Sequence, residues 1–291
     1  MKYNKFPKTD LKVSAIGLGT WVLGGDHWGG SKELDGTNAV RAAIEQGINF
    51  IDTAPIYGFG RAEHIVGKAI KGKRDSVIVA TKCGLSWKGK QVWHDLKPET
   101  IKKELEASLQ RLDVEHIDLY QCHWPDPQTP LESTMETLKK LQEQGKIRYI
   151  GVSNFDLTLL KKAVSLADIV TLQRQYSILE REVEKEILPY CHKNQIGFLA
   201  YGVLGGGILT GKYHDQPQWQ KSDARNFFYK HYTEEGFKKA REVLEDLKKG
   251  ARPLNQTALN WVRKKHGVTS VLAGCRNVKQ VLENIEAMKW I

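Results

Sequence analysis

The chain has 291 residues, 41% of them hydrophobic and 27% charged; this balance excludes a disordered chain and supplies the apolar surface for a sizeable core. No apolar run approaches the ~20 residues of a membrane-spanning helix, and the opening MKYNKFPKTD has no apolar stretch of the signal-peptide kind, so a cytoplasmic protein without membrane contact is expected. The formal net charge is +10, but the basic residues are scattered among carboxylates, which reads as solvated helix faces: nucleic acid is not expected, and an anionic small ligand is the partner class left open.

In chain order, residues 2–13 read as a short hairpin, followed by eight short strand-like runs at 15–20, 48–53, 77–82, 117–123, 147–153, 169–173, 197–201 and 269–274. These runs are almost continuously apolar, as parallel strands buried on both faces are. Between them, helices are predicted over 37–46, stopped by Gly47, and over 98–112, with Pro98 in the first turn and apolar residues at 101, 105, 109 and 112. Further helices are predicted over 131–144, over 157–166 behind an Asp156 cap, and over 182–194, 254–266 and 278–288. Two segments break the rhythm: a long loop at 83–97, and an excursion at 212–250 made of an aromatic loop (213–232) and a helix (234–248). Length alone allows two domains, but eight strands alternating with helices point to one α/β domain over 1–291. The expected fold is a (β/α)8 TIM barrel with an N-terminal β-hairpin and a long loop-plus-helix insertion after the seventh strand.

Cysteines 83, 122, 191 and 275 form no CxxC pair and no metal-ligand spacing, so no disulfide framework and no metal site are expected. Cys83 and Cys122 sit in apolar runs, where a buried thiol is the default.

In such a barrel the active site lies at the carboxyl ends of the strands. Those ends deliver Asp52 with Tyr57 just beyond it, then Lys82, then His123. Taken singly, an Asp after a strand is a helix cap, a Tyr is packing and a Lys is a surface group. Four ionisable groups at consecutive strand ends are harder to explain as packing, because burying them costs free energy unless they pair. Lys82 beside the Tyr57 hydroxyl is expected to lower its pKa, with Asp52 holding Lys82; Tyr57 could then act as a general acid and a neutral His123 could orient a carbonyl oxygen.

These residues stand in FIDTAPIYG, VATKCGL and LYQCHWPD, where the sequence resembles the aldo-keto reductase superfamily. GLGTW, GKIRYIGVSNF, LQRQYSILER, AYGVLGGGILTGKY and AGCRNVKQVLENI follow in family order along essentially the whole chain. The resemblance is to the short-tailed bacterial and potassium-channel β-subunit-like branch, since little chain follows the last helix. It implies an NAD(P)H-dependent carbonyl reductase acting on a small-molecule substrate. Tyr57 is then the proton donor, tuned by Lys82 and Asp52, and His123 orients the carbonyl.

The resemblance also implies a cofactor set. Ser153, Asn154 and Gln173 match the positions that hold the nicotinamide carboxamide, Tyr201 the aromatic that stacks on its ring, and Thr20 and Trp21 positions near its ribose. Gly202, Val203, Leu204, Gly205 and Gly206, with Lys212, match the pyrophosphate loop. Glycines 205–207 let backbone N–H groups approach phosphate oxygens. Gly274, Cys275, Arg276, Gln280, Glu283 and Asn284 match the surroundings of the adenosine and its 2′-phosphate. Arg276 at the opening of the last helix suits a phosphate, so NADP(H) is expected over NAD(H). Three departures touch the cofactor grip: Gly202-Val203 replaces Ser-Pro, Gln175 replaces Glu, and Ala273 stands where proline is frequent.

Trp21, Trp28, Trp87, Trp93 and Trp124 all fall in expected loops on the same face; Trp21 and Trp124 join Tyr57 and His123 as the expected substrate contacts. Two other readings stay open: a Schiff-base aldolase using Lys82, and a cofactor-binding, redox-sensing interaction subunit.

Overall fold

The computed structural model describes residues 1–290; residue 291, the last of the expected domain, lies outside the described residues. Strands β1 (Tyr3–Lys5) and β2 (Lys12–Ser14) pair antiparallel as the expected hairpin. Then follow β3 (Ile16–Gly19), the short α1 (Trp21–Gly24), α2 (Glu33–Glu45), β4 (Phe50–Asp52) and α3 (Arg61–Ile70). β5 (Ile78–Cys83) leads into a small hairpin of β6 (Leu85–Lys88) and β7 (Gln91–His94), then α4 (Pro98–Leu112) and β8 (Ile117–Cys122). α5 (Leu131–Glu143), β9 (Ile147–Ser153), α6 (Leu157–Leu166), β10 (Ile169–Gln175), α7 (Ile187–Lys193) and β11 (Gly197–Tyr201) come next. The excursion after β11 carries α8 (Arg225–Phe228) and α9 (Glu234–Lys248), and α10 (Leu254–Arg263), β12 (Val268–Gly274) and α11 (Val278–Ile285) complete the described chain. β3, β4, β5, β8, β9, β10, β11 and β12 close in that order into a parallel barrel, the expected (β/α)8 architecture.

The apolar character of the strands has two uses. Outward residues such as Ile51, Val79, Tyr120 and Val152 pack under the surrounding helices. Inward residues Phe50, Ala80, Leu119, Val170, Leu199 and Leu272 fill the barrel, and Phe6, Leu11 and Val13 of the hairpin region close it from below. Phe6 meets Phe50 edge-on at 5.5 Å between ring centroids; burying one such ring contributes about 2–3 kcal/mol. The apolar core therefore fills the amino end and middle of the barrel, leaving the carboxyl end for polar groups.

Several expected elements shift. The helix expected over 182–194 is a 3-10 turn at Glu182–Glu184 followed by α7. Pro189 explains the break: it lacks the N–H that would reach back to the preceding turn, so the helix restarts with proline in its first turn. α3 was not expected at all. Its Gly67 weakens helix propensity, yet a Cβ there would lie 2.8 Å from the backbone oxygens of Arg111 and Leu112, so the glycine is what lets α3 approach the end of α4. The loop at 83–97 is ordered as the β6–β7 hairpin. α6 begins as expected, with the Asp156 carboxylate accepting from Leu159 N at 2.8 Å. No helix among the described residues is long and apolar enough to cross a membrane.

Candidate active site

Asp52, Lys82 and His123 leave the adjacent strands β4, β5 and β8 at one end of the barrel, and Tyr57 follows β4 by one turn. Lys82 is fully buried, and its three N–H bonds are all taken. Nζ donates to Asp52 Oδ2 at 2.8 Å, to the Thr53 carbonyl at 2.9 Å and to the Tyr57 hydroxyl oxygen at 3.2 Å. Because the Tyr57 oxygen accepts from Lys82, its own O–H proton points elsewhere. His123 meets the Tyr57 ring edge-on, with centroids 5.6 Å apart. The four residues expected to converge do so.

The electrostatics correct one expectation. The Tyr57 phenol is held well above its ordinary pKa, first by burial and then by the nearby Asp52 charge. Lys82 does not lower it on balance, because Asp52 neutralises the ammonium and desolvation decides the sign. Burial also lowers the Lys82 pKa, against the pull of Asp52. His123 is held well below the ordinary imidazole value by burial and then by the Lys82 charge, so it is neutral. The site is a protonated phenol and a neutral imidazole over a buried ion pair.

A cleft of about 730 Å³ opens above this group, and Tyr57, Asp52 and His123 line its floor. Lys82 is absent from the wall, which removes the access a Schiff-base nucleophile requires. Next to the tetrad, Asn154 sits in the left-handed region (φ 63°). Its amide donates to the His123 carbonyl at 2.9 Å and its Oδ1 accepts from Tyr201 OH at 2.8 Å. The Gln173 amide donates to Asp52 Oδ1 at 2.8 Å, and Ser153 Oγ to the Gln173 carbonyl at 3.1 Å. Thr20 Oγ1 donates to the Asp52 carbonyl at 3.0 Å. These five expected cofactor contacts are thus wired to the tetrad and line the cleft.

The far half of the cleft is formed by Gly202, Val203, Leu204, Gly206 and Lys212 on one side and Gly274, Arg276, Gln280, Glu283 and Asn284 on the other. Gly205 and Cys275 stand behind this wall; the Cys275 thiol is buried against the Asn284 amide at 3.3 Å. The glycine loop also departs from expectation. The N–H groups of Gly205 and Gly207 donate to Gly202 and Leu204 carbonyls at 2.8 and 2.9 Å, and His231 and the Tyr232 hydroxyl hold the Gly205 and Gly206 carbonyls. Lys212 lies against this loop: a Cβ on Gly207 (φ 103°) would lie 3.2 Å from Lys212 Nζ. At α11 the cap is Asn277, whose side chain accepts from Gln280 N, while the Gln280 side-chain Oε1 accepts from Arg276 N at 2.8 Å. The Arg276 guanidinium donates to the Trp28 carbonyl.

Sequence reasoning missed Arg225, which lines the cleft, pairs with the buried Asp223 and lies 5.4 Å over the Trp28 ring. It also missed Phe228, whose ring meets Trp21 edge-on at 5.1 Å and Trp124 at 6.5 Å. Trp21 stacks on Tyr57 at 5.9 Å, so Trp21, Trp28 and Trp124 do line the cleft. Trp87 and Trp93 do not: Trp87 packs by Phe59, and Trp93 is 40% exposed on β7. Trp93 pairs with Ser86 and alternates with Val92, which lines the cleft with Leu85, so Trp93 takes the outer face; Trp87 is the cross-strand partner of Val92 and is taken up by Phe59.

A dinucleotide fits this cleft. Lys212, Arg225 and Arg276 supply positive charge along the far half, and the Trp28 indole N–H, buried in the same wall, has no protein partner.

Comparison with known proteins agrees. Residues 15–290 match the model of the aldo/keto reductase family. Over its full length the chain is 42% identical to the aldo-keto reductase YhdN of Bacillus subtilis, covering 89% of that protein. It is 36% identical to the NADH-specific methylglyoxal reductase of Escherichia coli, over 99% of this chain and 94% of the relative. The fold superposes on a glycerol dehydrogenase of Gluconobacter oxydans with a TM-score of 0.90 at 38% identity, covering 99% and 90% of the two chains.

Proposed function

The chain belongs to the aldo/keto reductase family and is an oxidoreductase acting on carbonyl groups; from that premise we propose that it uses NADP(H) to reduce an aldehyde or ketone to the alcohol, with Tyr57 as proton donor. The observation that carries this reading is the Lys82 amine fixed between Asp52 and the Tyr57 hydroxyl. A bound reduced nicotinamide supplies the hydride for the carbonyl carbon. His123, neutral, donates an N–H to the carbonyl oxygen and turns it toward Tyr57. Tyr57 gives its O–H proton to that oxygen as negative charge develops there, and Lys82 stabilises the phenolate left behind. Burial keeps the proton on Tyr57 until then, and solvent restores it afterwards; in the oxidative direction the same groups run in reverse.

Ser153, Asn154 and Gln173 would hold the carboxamide and Tyr201 the ring face. Lys212, with the newly seen Arg225, would meet the pyrophosphate. The choice of NADP(H) rests on Arg276, whose guanidinium lines the adenosine end of the cleft; the E. coli relative, by contrast, is named for NADH. The substrate end, lined by Trp21, Leu85, Val92, Trp124 and Phe228, carries no charged side chain among these residues. It suits carbonyl compounds with an apolar body.

The test is consumption of NADPH with a panel of aldehydes and ketones. Tyr57→Phe removes one hydroxyl and is expected to lower kcat by at least about a hundredfold, with cofactor affinity preserved. Undiminished turnover in that variant would falsify the reading.

A further inference from the structure

Asp52 is held by more than its lysine. Gln121 of β8 is fully buried and absent from the cleft wall. Its Nε2 donates to Asp52 Oδ1 at 3.4 Å, the same oxygen that accepts from Gln173 at 2.8 Å, while Oδ2 faces Lys82 at 2.8 Å. An ionised carboxylate only accepts, so both amides must present nitrogen to it.

The barrel is shaped around this glutamine. Lys82, Gln121, Gly151 and Thr171 are register partners across β5, β8, β9 and β10. Gly151 leaves the row open: a Cβ there would lie 2.4 Å from Thr171 Oγ1 and 3.0 Å from Gln121 Cγ. Gln121 Oε1 is buried without a hydrogen-bond partner, as is Thr171 Oγ1. An orphaned amide oxygen in a barrel interior costs stability, so packing alone favours an apolar side chain at this position.

We infer that Gln121 is a positioning residue for carbonyl reduction: with Gln173 it clamps Asp52 Oδ1, which fixes Oδ2 on Lys82 and Lys82 on Tyr57. The inference rests on the tetrad reading above. The titratable groups around Gln121 are Asp52 from β4, Lys82 from β5, Cys83 of β5, whose thiol donates to the Gln121 carbonyl, Tyr57 after β4 and His123 just past the end of its own strand, with Glu63 of α3 acting on Lys82 from outside the barrel. β9 and β10 contribute Gly151, Ser153, Thr171 and Gln173, none of them charged.

The experiment compares Gln121→Met, which keeps the length and removes the donor, with Gln121→Glu, which donates only when protonated. NADPH binding, read by cofactor fluorescence, reports whether each variant keeps an intact cleft. Gln121→Met is expected to lower kcat by about tenfold with little change in carbonyl KM. Gln121→Glu is expected to regain kcat as pH falls and lose it as pH rises, a pH dependence that Gln121→Met lacks. A wild-type pH profile in Gln121→Glu, whatever its absolute rate, overturns the inference and leaves Gln121 as packing. Retained turnover in Tyr57→Phe is the separate result that overturns the tetrad reading itself, and this inference with it.

Discussion

Lys82 Nζ lies 3.2 Å from the Tyr57 hydroxyl oxygen and 4.9 Å from the centroid of its ring, yet the phenol keeps its proton. Asp52 explains both facts. It neutralises the ammonium in the ground state, so burial sets the Tyr57 pKa; once the proton leaves, the same ammonium faces a phenolate at contact distance.

The Asp52–Lys82 pair therefore matters to folding as well as to turnover. Lys82→Met leaves a buried carboxylate without its cation, which costs about 3–5 kcal/mol. Urea unfolding should show that loss, and Asp52→Asn in the Lys82→Met background should restore most of it while activity stays absent. An additive loss in the double variant would show that the two side chains do not act as a pair.

His123 makes a prediction about pH. Its imidazole is held below the ordinary 6.5 by burial and the Lys82 charge, so it stays neutral across the physiological range. The profile of kcat/KM should show no limb near the free imidazole value, and His123→Ala should lower kcat/KM by about a hundredfold at every pH tested. A limb near 6.5 that disappears in His123→Ala contradicts a neutral donor. Stability follows the lowered direction: the neutral form is favoured by folding, so His123 opposes the folded state progressively as pH falls below 6.5.

The barrel strands and the tetrad were legible for one physical reason. Strands buried on both faces are apolar throughout, so a charged residue at the end of such a run stands out, as Lys82 does in VIVATK. Gln121 stands in the same way inside IDLYQC, but an uncharged amide gives less contrast with its apolar neighbours. Arg225, Asp223 and Phe228 were illegible: they lie in an irregular loop, and only the folded excursion brings them over the cleft. Trp93 was out of reach for the converse reason: a loop read without its hairpin register gives no inner and outer face, and Trp93 alternates with the cleft-lining Val92. The Tyr57 pKa needed the structure because two opposed effects, a near cation and full burial, have no relative size in a sequence.

The coenzyme choice is tested by subtraction. Arg276→Ala should raise the KM for NADPH about 10- to 100-fold, the range of one charge-assisted phosphate contact, and leave that for NADH unchanged. Because Arg276 also donates to the Trp28 carbonyl, the NADH value separates a lost phosphate contact from a disturbed loop. Equal rises for both cofactors would show only the latter.

Glu104 gives the last prediction, away from the chemistry. From α4 its carboxylate accepts from Gly84 N at 2.7 Å and Ser86 Oγ at 3.3 Å, tying down the β6–β7 hairpin whose Leu85 and Val92 line the cleft. Burial pushes its pKa from 4.5 up to about 7, against those two hydrogen bonds. A folded value above the unfolded one means its contribution is fully present below about 4.5 and is lost as pH rises through about 7. The shift amounts to about 3–4 kcal/mol between those limits. Glu104→Gln keeps an acceptor for Gly84 and cannot ionise, so it should gain on the wild type in urea midpoint as pH rises from 5 toward 8 (about the span of the shift). A constant difference between the two proteins over that range would mean that Glu104 titrates as it does in the unfolded chain.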